Sequence, residues 1–104
     1  MLDSGFIGHF PASATVPLAL QCRLQDLQVA SPSVNPTFKI IDPDGSVIEN
    51  GELTKSVSGL TGFRMSSLDL SSKSSWQPGV LYTVIFNYEQ GGNMRAAMST
   101  FQVV

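Results

Sequence analysis

The sequence predicts an all-β protein, a single antiparallel β-sandwich of about seven strands, on three observations. Large apolar residues alternate at a period of two, most clearly Tyr82, Val84, Phe86 and Tyr88, which is the pattern of a strand with one face on a core. Combinations of Pro, Gly and Asp break the chain at intervals near the ~8–12 residues expected of sandwich strands. Nowhere do apolar residues repeat at helical spacing over three turns.

Taken in order, residues 1–12 hold Leu2, Phe6, Ile7 and Phe10 among Gly5, Gly8 and Pro11. They are too apolar for a solvated tail, and they read as an N-terminal arm or edge strand preceding a sandwich domain at 13–104. Residues 15–24 put Val16, Leu18, Leu20, Cys22 and Leu24 on one face. Pro17 has no N–H to give a ladder, so this strand lies at an edge or Pro17 at its beginning. Residues 25–36, with Ser31-Pro32-Ser33 and Asn35-Pro36, form a loop or a partly extended crossing. Residues 37–42 are a strand with Phe38 and Ile40 inward. Asp42-Pro43-Asp44-Gly45 then turns the chain, Pro43 fixing φ and Gly45 supplying a positive one. Residues 46–49 return as the partner strand.

Leu53, Val57 and Leu60 are spaced too loosely to assign. Along residues 62–70 the inward set shifts from Phe63 and Met65 to Leu68 and Leu70, the change of phase that an inserted bulge residue would cause. Residues 71–75 are a polar connection with room for one helical turn. Pro78-Gly79 breaks the chain before a strand at residues 80–88. Residues 89–93 make a hairpin turn, and residues 94–104 are the last strand. Alternation leaves strand order open, because a meander and a Greek key produce the same pattern.

A chain of 104 residues fits one domain. Its 42% hydrophobic content supports a core, and its 13% charged content is about half the usual ~25%. A surface with so little charge repulsion suits a protein that works in contact with others. The six cations, Arg23, Lys39, Lys55, Arg64, Lys73 and Arg95, are scattered, and the net charge is −2. Phosphate backbones are held by a positive patch, so nucleic acid is not an expected partner. Cys22 is the single cysteine, which excludes an internal disulfide, and it reads as a small buried hydrophobe. No basic flank precedes an uninterrupted apolar stretch, and no run of ~18 apolar residues occurs, so neither a signal peptide nor a membrane anchor is expected. Gln21 is too large for the position before a lipoprotein cysteine. Pro36 spoils Asn35-Pro36-Thr37 as a glycosylation site.

Catalysis needs groups that the pattern does not assemble. His9 is the only histidine, and no Gly-x-Ser-x-Gly elbow exists. The eight acids, Asp3, Asp26, Asp42, Asp44, Glu49, Glu52, Asp69 and Glu89, fall mostly in turns and strand ends rather than across a cleft. Asp42-x-Asp44-Gly45 copies a fragment of a calcium loop but lacks its distal glutamate, and a plain turn selects the same residues. One Cys and one His cannot close a zinc site. The expectation is a protein without catalytic residues, cofactor or metal. Trp76, Phe63, Tyr82 and Tyr88 could build a sugar-stacking platform. Alternation turns Tyr82 and Tyr88 inward, however, and leaves Trp76 to cap the core or to meet a partner.

Three elements in order carry a resemblance. They are the strand–Asp42-Pro43-Asp44-Gly45–strand hairpin, the Trp76-Gln77-Pro78-Gly79-Val80-Leu81-Tyr82-Thr83-Val84 segment, and a Gly-Gly hairpin leading to Phe101-Gln102-Val103. Over residues 15–104 this resembles immunoglobulin-like sandwich domains, particularly macroglobulin-type and bacterial Ig-like repeats. The paired cysteines of antibody domains are absent, and Trp76 precedes the Pro-Gly corner instead of lying on an earlier strand. In size, low charge, Ser/Thr content and a closing Phe-x-Val-Val strand, the chain also resembles small β-sandwich virion proteins of tailed bacteriophages, and reads as one complete small gene product.

That second resemblance implies a non-enzymatic structural protein, a capsid decoration (cement) protein or tail accessory. It would assemble in the host cytoplasm, reside in the virion, form a homo-oligomer and bind a larger protein lattice, with no nucleic acid or membrane as partner. Leu2, Phe6, Ile7, Phe10 and Trp76 are the expected partner-contact residues. Deleting residues 1–12 should then abolish assembly and spare the fold. The alternative is a carbohydrate- or cell-surface-binding β-sandwich module, which predicts an exposed aromatic strip including Trp76.

Overall fold

The period-two runs become two sheets facing each other across a shared core. The computed structural model describes residues 2–21, 34–56, 58–59, 61–90 and 93–104, and of residues 2–4, 21, 90 and 93 the backbone alone. The expectations for Cys22, Leu24, the stretch 25–33, Val57, Leu60 and the Gly91-Gly92 pair lie outside the described residues. The strands are β1 (Leu2–Phe10), β2 (Thr15–Gln21), β3 (Thr37–Ile41), β4 (Val47–Glu52), β5 (Lys55–Ser56), β6 (Phe63–Asp69), β7 (Leu81–Gln90) and β8 (Asn93–Val103). One sheet has the order β1-β8-β7-β3-β4 and the other β2-β6-β5. The protein is an all-β sandwich of immunoglobulin-like type, with β3, β7 and β8 opposing β2, β6 and β5.

Residues paired across strands share a face. Phe38–Phe86–Ala97 and Ile40–Val84–Ser99 therefore form inward rows on the larger sheet, with Tyr82–Phe101 beside them. Val16, Leu18, Leu20 and Leu68 answer from the smaller sheet, and all of these hydrophobic residues are buried. Each buried Val, Leu, Ile or Phe side chain among them contributes roughly 1.5–3 kcal/mol by leaving water. Gly51 shows how tightly the layer is filled. A Cβ there would stand 2.7 Å from the Phe38 ring, so only hydrogen fits.

Pro17 sits on β2, an edge strand, as its missing N–H requires. The Asp42 turn forms as its residues dictate: the Gly45 N–H donates to the Asp42 carbonyl at 3.0 Å, with Gly45 at φ 87°. The helical turn expected in the polar connection is a single 3-10 turn, Leu70–Ser72. Asp69 caps it, accepting from the Ser71 N–H at 3.0 Å and the Ser71 hydroxyl at 2.6 Å.

Two features differ from the sequence reading. β6 carries no bulge: its register with β2 runs unbroken from Gln21–Phe63 to Thr15–Asp69. The apparent change of phase arises because Arg64 and Ser66 share the inward face with Leu68, while Phe63 and Met65 lie half-buried on the opposite face. The real bulges are between Phe6 and Gly8 on β1 and at Ile40/Ile41 in the β3–β4 pair. The second difference is the direction of β1: of the two alternatives, arm or edge strand, it is the edge strand of the larger sheet, but it runs parallel to β8 in a sandwich expected to be antiparallel throughout.

Candidate functional site

Two turns meet at one end of the sandwich and make a groove of about 300 Å³. One is the Asp42 hairpin turn between β3 and β4. The other is Gln77-Pro78-Gly79-Val80, where the Val80 N–H reaches the Gln77 carbonyl at 3.3 Å and Gly79 has φ 84°. Pro at the second position and a positive-φ Gly at the third are the residues this turn geometry needs. Its position is set by β8: the Gly79 N–H donates to the Val103 carbonyl at 2.6 Å and the Val103 N–H to the Val80 carbonyl at 3.1 Å.

The groove's polar atoms come from Asp42, Asp44, Ser75, Gln77 and Tyr82, and its apolar wall from Pro43, Ile48 and Val80. Asp42 is partly committed, because its Oδ1 accepts from the Asp44 N–H at 3.0 Å and the Ser46 N–H at 2.9 Å. That carboxylate holds the turn, and Asp44 stands exposed beside it. The Tyr82 hydroxyl at the base accepts the Gln77 N–H at 3.0 Å. This is the tyrosine corner of immunoglobulin-like sandwiches, a tyrosine near the start of a strand tied back to the chain just upstream. Lys73 borders the same end, its Nζ donating to the Ile48 carbonyl at 2.5 Å and lying 3.4 Å from Glu49 Oε2. Both partners are solvent-accessible, so this pair orients the loop more than it stabilises the fold.

The five expected contact residues are not brought together. Phe6 is 52% exposed on β1, its ring edge-on to His9 at 5.1 Å. Leu2 pairs in register with Ala96 at the far end of the strand. Ile7 and Phe10 turn toward the core, and Phe10 meets Phe101 edge-on at 6.4 Å. Trp76 is only 5% exposed, packed on Tyr82 at 4.9 Å and Phe101 at 6.0 Å. It caps the core and offers no side-chain face to a partner. The aromatic platform fails for the same reason: Trp76, Tyr82 and Tyr88 are buried, and Phe63 lies on the other sheet.

Gln77, Ser75 and Val80 are not among the contact residues that the sequence proposes. The two turns that carry the groove are legible, but their meeting depends on β3 pairing with β7, and alternation does not encode strand order. Among the described residues no cluster of three His, Cys, Asp or Glu could hold a metal ion, and no helix is long and apolar enough to cross a membrane.

No protein-family model and no curated protein sequence matches this chain. Solved structures do. A structure of the CBM51-2 and INT domains of ZmpB from Clostridium perfringens superposes with a TM-score of 0.57 at 17% identity, over 97% of this chain and 19% of that one. The same domains with CBM51-2 in complex with GlcNAc give 0.56 at 18% identity, over 98% and 20%. The likeness is one of fold. This chain spans about a fifth of the length of those neighbours.

Proposed function

We propose that this domain is a non-catalytic binding module that recognises carbohydrate at a cell surface through the groove between its two turns. The observation that carries the reading is the groove's composition: two carboxylates, an amide and two hydroxyls stand over an apolar wall, in a volume near 300 Å³. Sugars present vicinal hydroxyls and a weakly apolar ring face. Carboxylates and amides pair with such hydroxyls, and Ile48 and Val80 would lie under the ring. A cavity at the small end of ligand pockets suits one or two sugar units. The likeness to domains solved together with GlcNAc on CBM51-2 supports starting from GlcNAc-containing glycans.

The test is a glycan array followed by calorimetric titration of any hit. Asp44→Ala and Gln77→Ala should each weaken binding at least tenfold while leaving the melting temperature near that of the parent. An array without hits, or variants that bind as the parent does, would remove the reading.

A second reading is favoured by Phe6, a large apolar ring half in solvent on an edge strand. It is assembly into a larger protein lattice, as in a tailed-phage capsid decoration protein or tail accessory. Co-sedimentation with assembled particles, lost in Phe6→Lys, is the result this reading requires.

A further inference from the structure

Sheet edges are templates for foreign strands, and proteins blunt them with short length, charge, proline or bulges. Among the described residues the sandwich has four edges: β1 and β4 on the larger sheet, β2 and β5 on the smaller. Three of them are blunted. β4 carries Glu49 and Glu52, β2 carries Pro17, and β5 is two residues long with Lys55 in it. β1 is different: nine residues, no proline, and Asp3 as its one acidic or basic residue besides His9. Its single irregularity falls between Phe6 and Gly8, leaving Leu2 to Phe6 in unbroken register with β8.

We propose that β1 is a docking edge for the β1 strand of a second copy, joined antiparallel about a two-fold axis at Ser4, so that two five-stranded sheets become one of ten. The axis at Ser4 uses only the regular part of the strand. It places position 2 of each copy opposite Phe6 of the other, and Asp3 opposite Gly5, so no like charges face each other. Leu2, Ser4 and Phe6 pair with Ala96, Met98 and Thr100, all on the outward register of β8. Across the same outer face Met98 meets Ile85 and Thr100 meets Thr83. Pairing position 2 with Phe6 brings no charged residue type to that register. A second copy is the occupant because a two-fold pairing is self-complementary and a net charge of −2 per copy repels weakly. This docking does not depend on the carbohydrate groove, which lies among different elements.

The experiment is light scattering of the 104-residue chain across a concentration series, with three variants checked by circular dichroism and melting. The parent should rise from monomer to dimer mass with concentration. Phe6→Lys and Leu2→Glu should each lose the dimer while melting like the parent. The double variant Leu2→Glu/Phe6→Lys should recover it, since each copy then sets Glu opposite Lys twice. A parent that stays monomeric to about 1 mM, the weak end of affinities expected for so small an interface, would overturn the proposal. So would a single variant that keeps the dimer, or a folded double variant that stays monomeric.

Discussion

At Tyr82 one hydroxyl joins core and surface: the ring stacks with Phe101 at 5.6 Å, and the oxygen accepts the Gln77 N–H. Tyr82→Phe keeps the ring and strands that N–H, so it should cost about 1–3 kcal/mol. A urea melt would show a lower midpoint with unchanged slope. Gly51→Ala tests packing against the same sheet. Its new methyl would meet two Phe38 ring carbons at 2.7 and 2.8 Å, and overpacking of this kind costs about 1–3 kcal/mol. Trp76→Ala should cost more, about 3–5 kcal/mol, because it empties the centre of an aromatic cluster. It therefore reports on folding and is unsuited as a control for glycan binding. The indole Nε1 has no acceptor among the described residues, so the ring's contribution rests on its contacts with Tyr82 and Phe101.

Among the elements, β1 changes meaning most. As an arm, residues 1–12 would be dispensable to the fold. As a strand paired with β8, carrying Ile7 and Phe10 against the core, they are part of it. Deleting them should cost at least ~2 kcal/mol on the burial of those two side chains alone. A truncated chain as stable in urea as the parent would return the segment to an arm. β1 also has one strand neighbour where β7 and β8 have two each. Its amides should exchange with solvent faster than those of β7, which hydrogen–deuterium exchange would read directly. β6 gives the opposite lesson. Phe63 and Met65 looked inward because they are large and apolar, yet the ladder to β2 gives their places to Arg64 and Ser66. Size and hydrophobicity assign a face only where a strand's alternation is uniform, as along β7.

For the whole molecule, topology governs how the fold is reached. The parallel β1–β8 pair joins the two extremes of the chain, and the β2–β6 and β3–β7 ladders are also non-local. Closing such loops before their contacts form is slow, so refolding should take milliseconds to seconds. Trp76, the single tryptophan and buried in the core, is the natural fluorescence probe. Refolding complete in under a millisecond would contradict this topology. The same global arrangement makes the groove, since the Asp42 and Gln77 turns are 35 positions apart and meet only because β3 lies beside β7.

Local chemistry along the chain suffices for the all-β class, the inward rows of β2, β3 and β7 and both tight turns. Each of these follows from side-chain alternation or from the fixed torsions of Pro and Gly, which act over a few neighbouring residues. The choice of an edge strand over an arm for the N-terminal segment, the edge position of β2, the enclosure of Trp76 and the groove shared by two distant turns emerge only once the chain is folded. Those facts depend on which strand lies beside which, and pairing energies between remote segments leave no local trace in the chain.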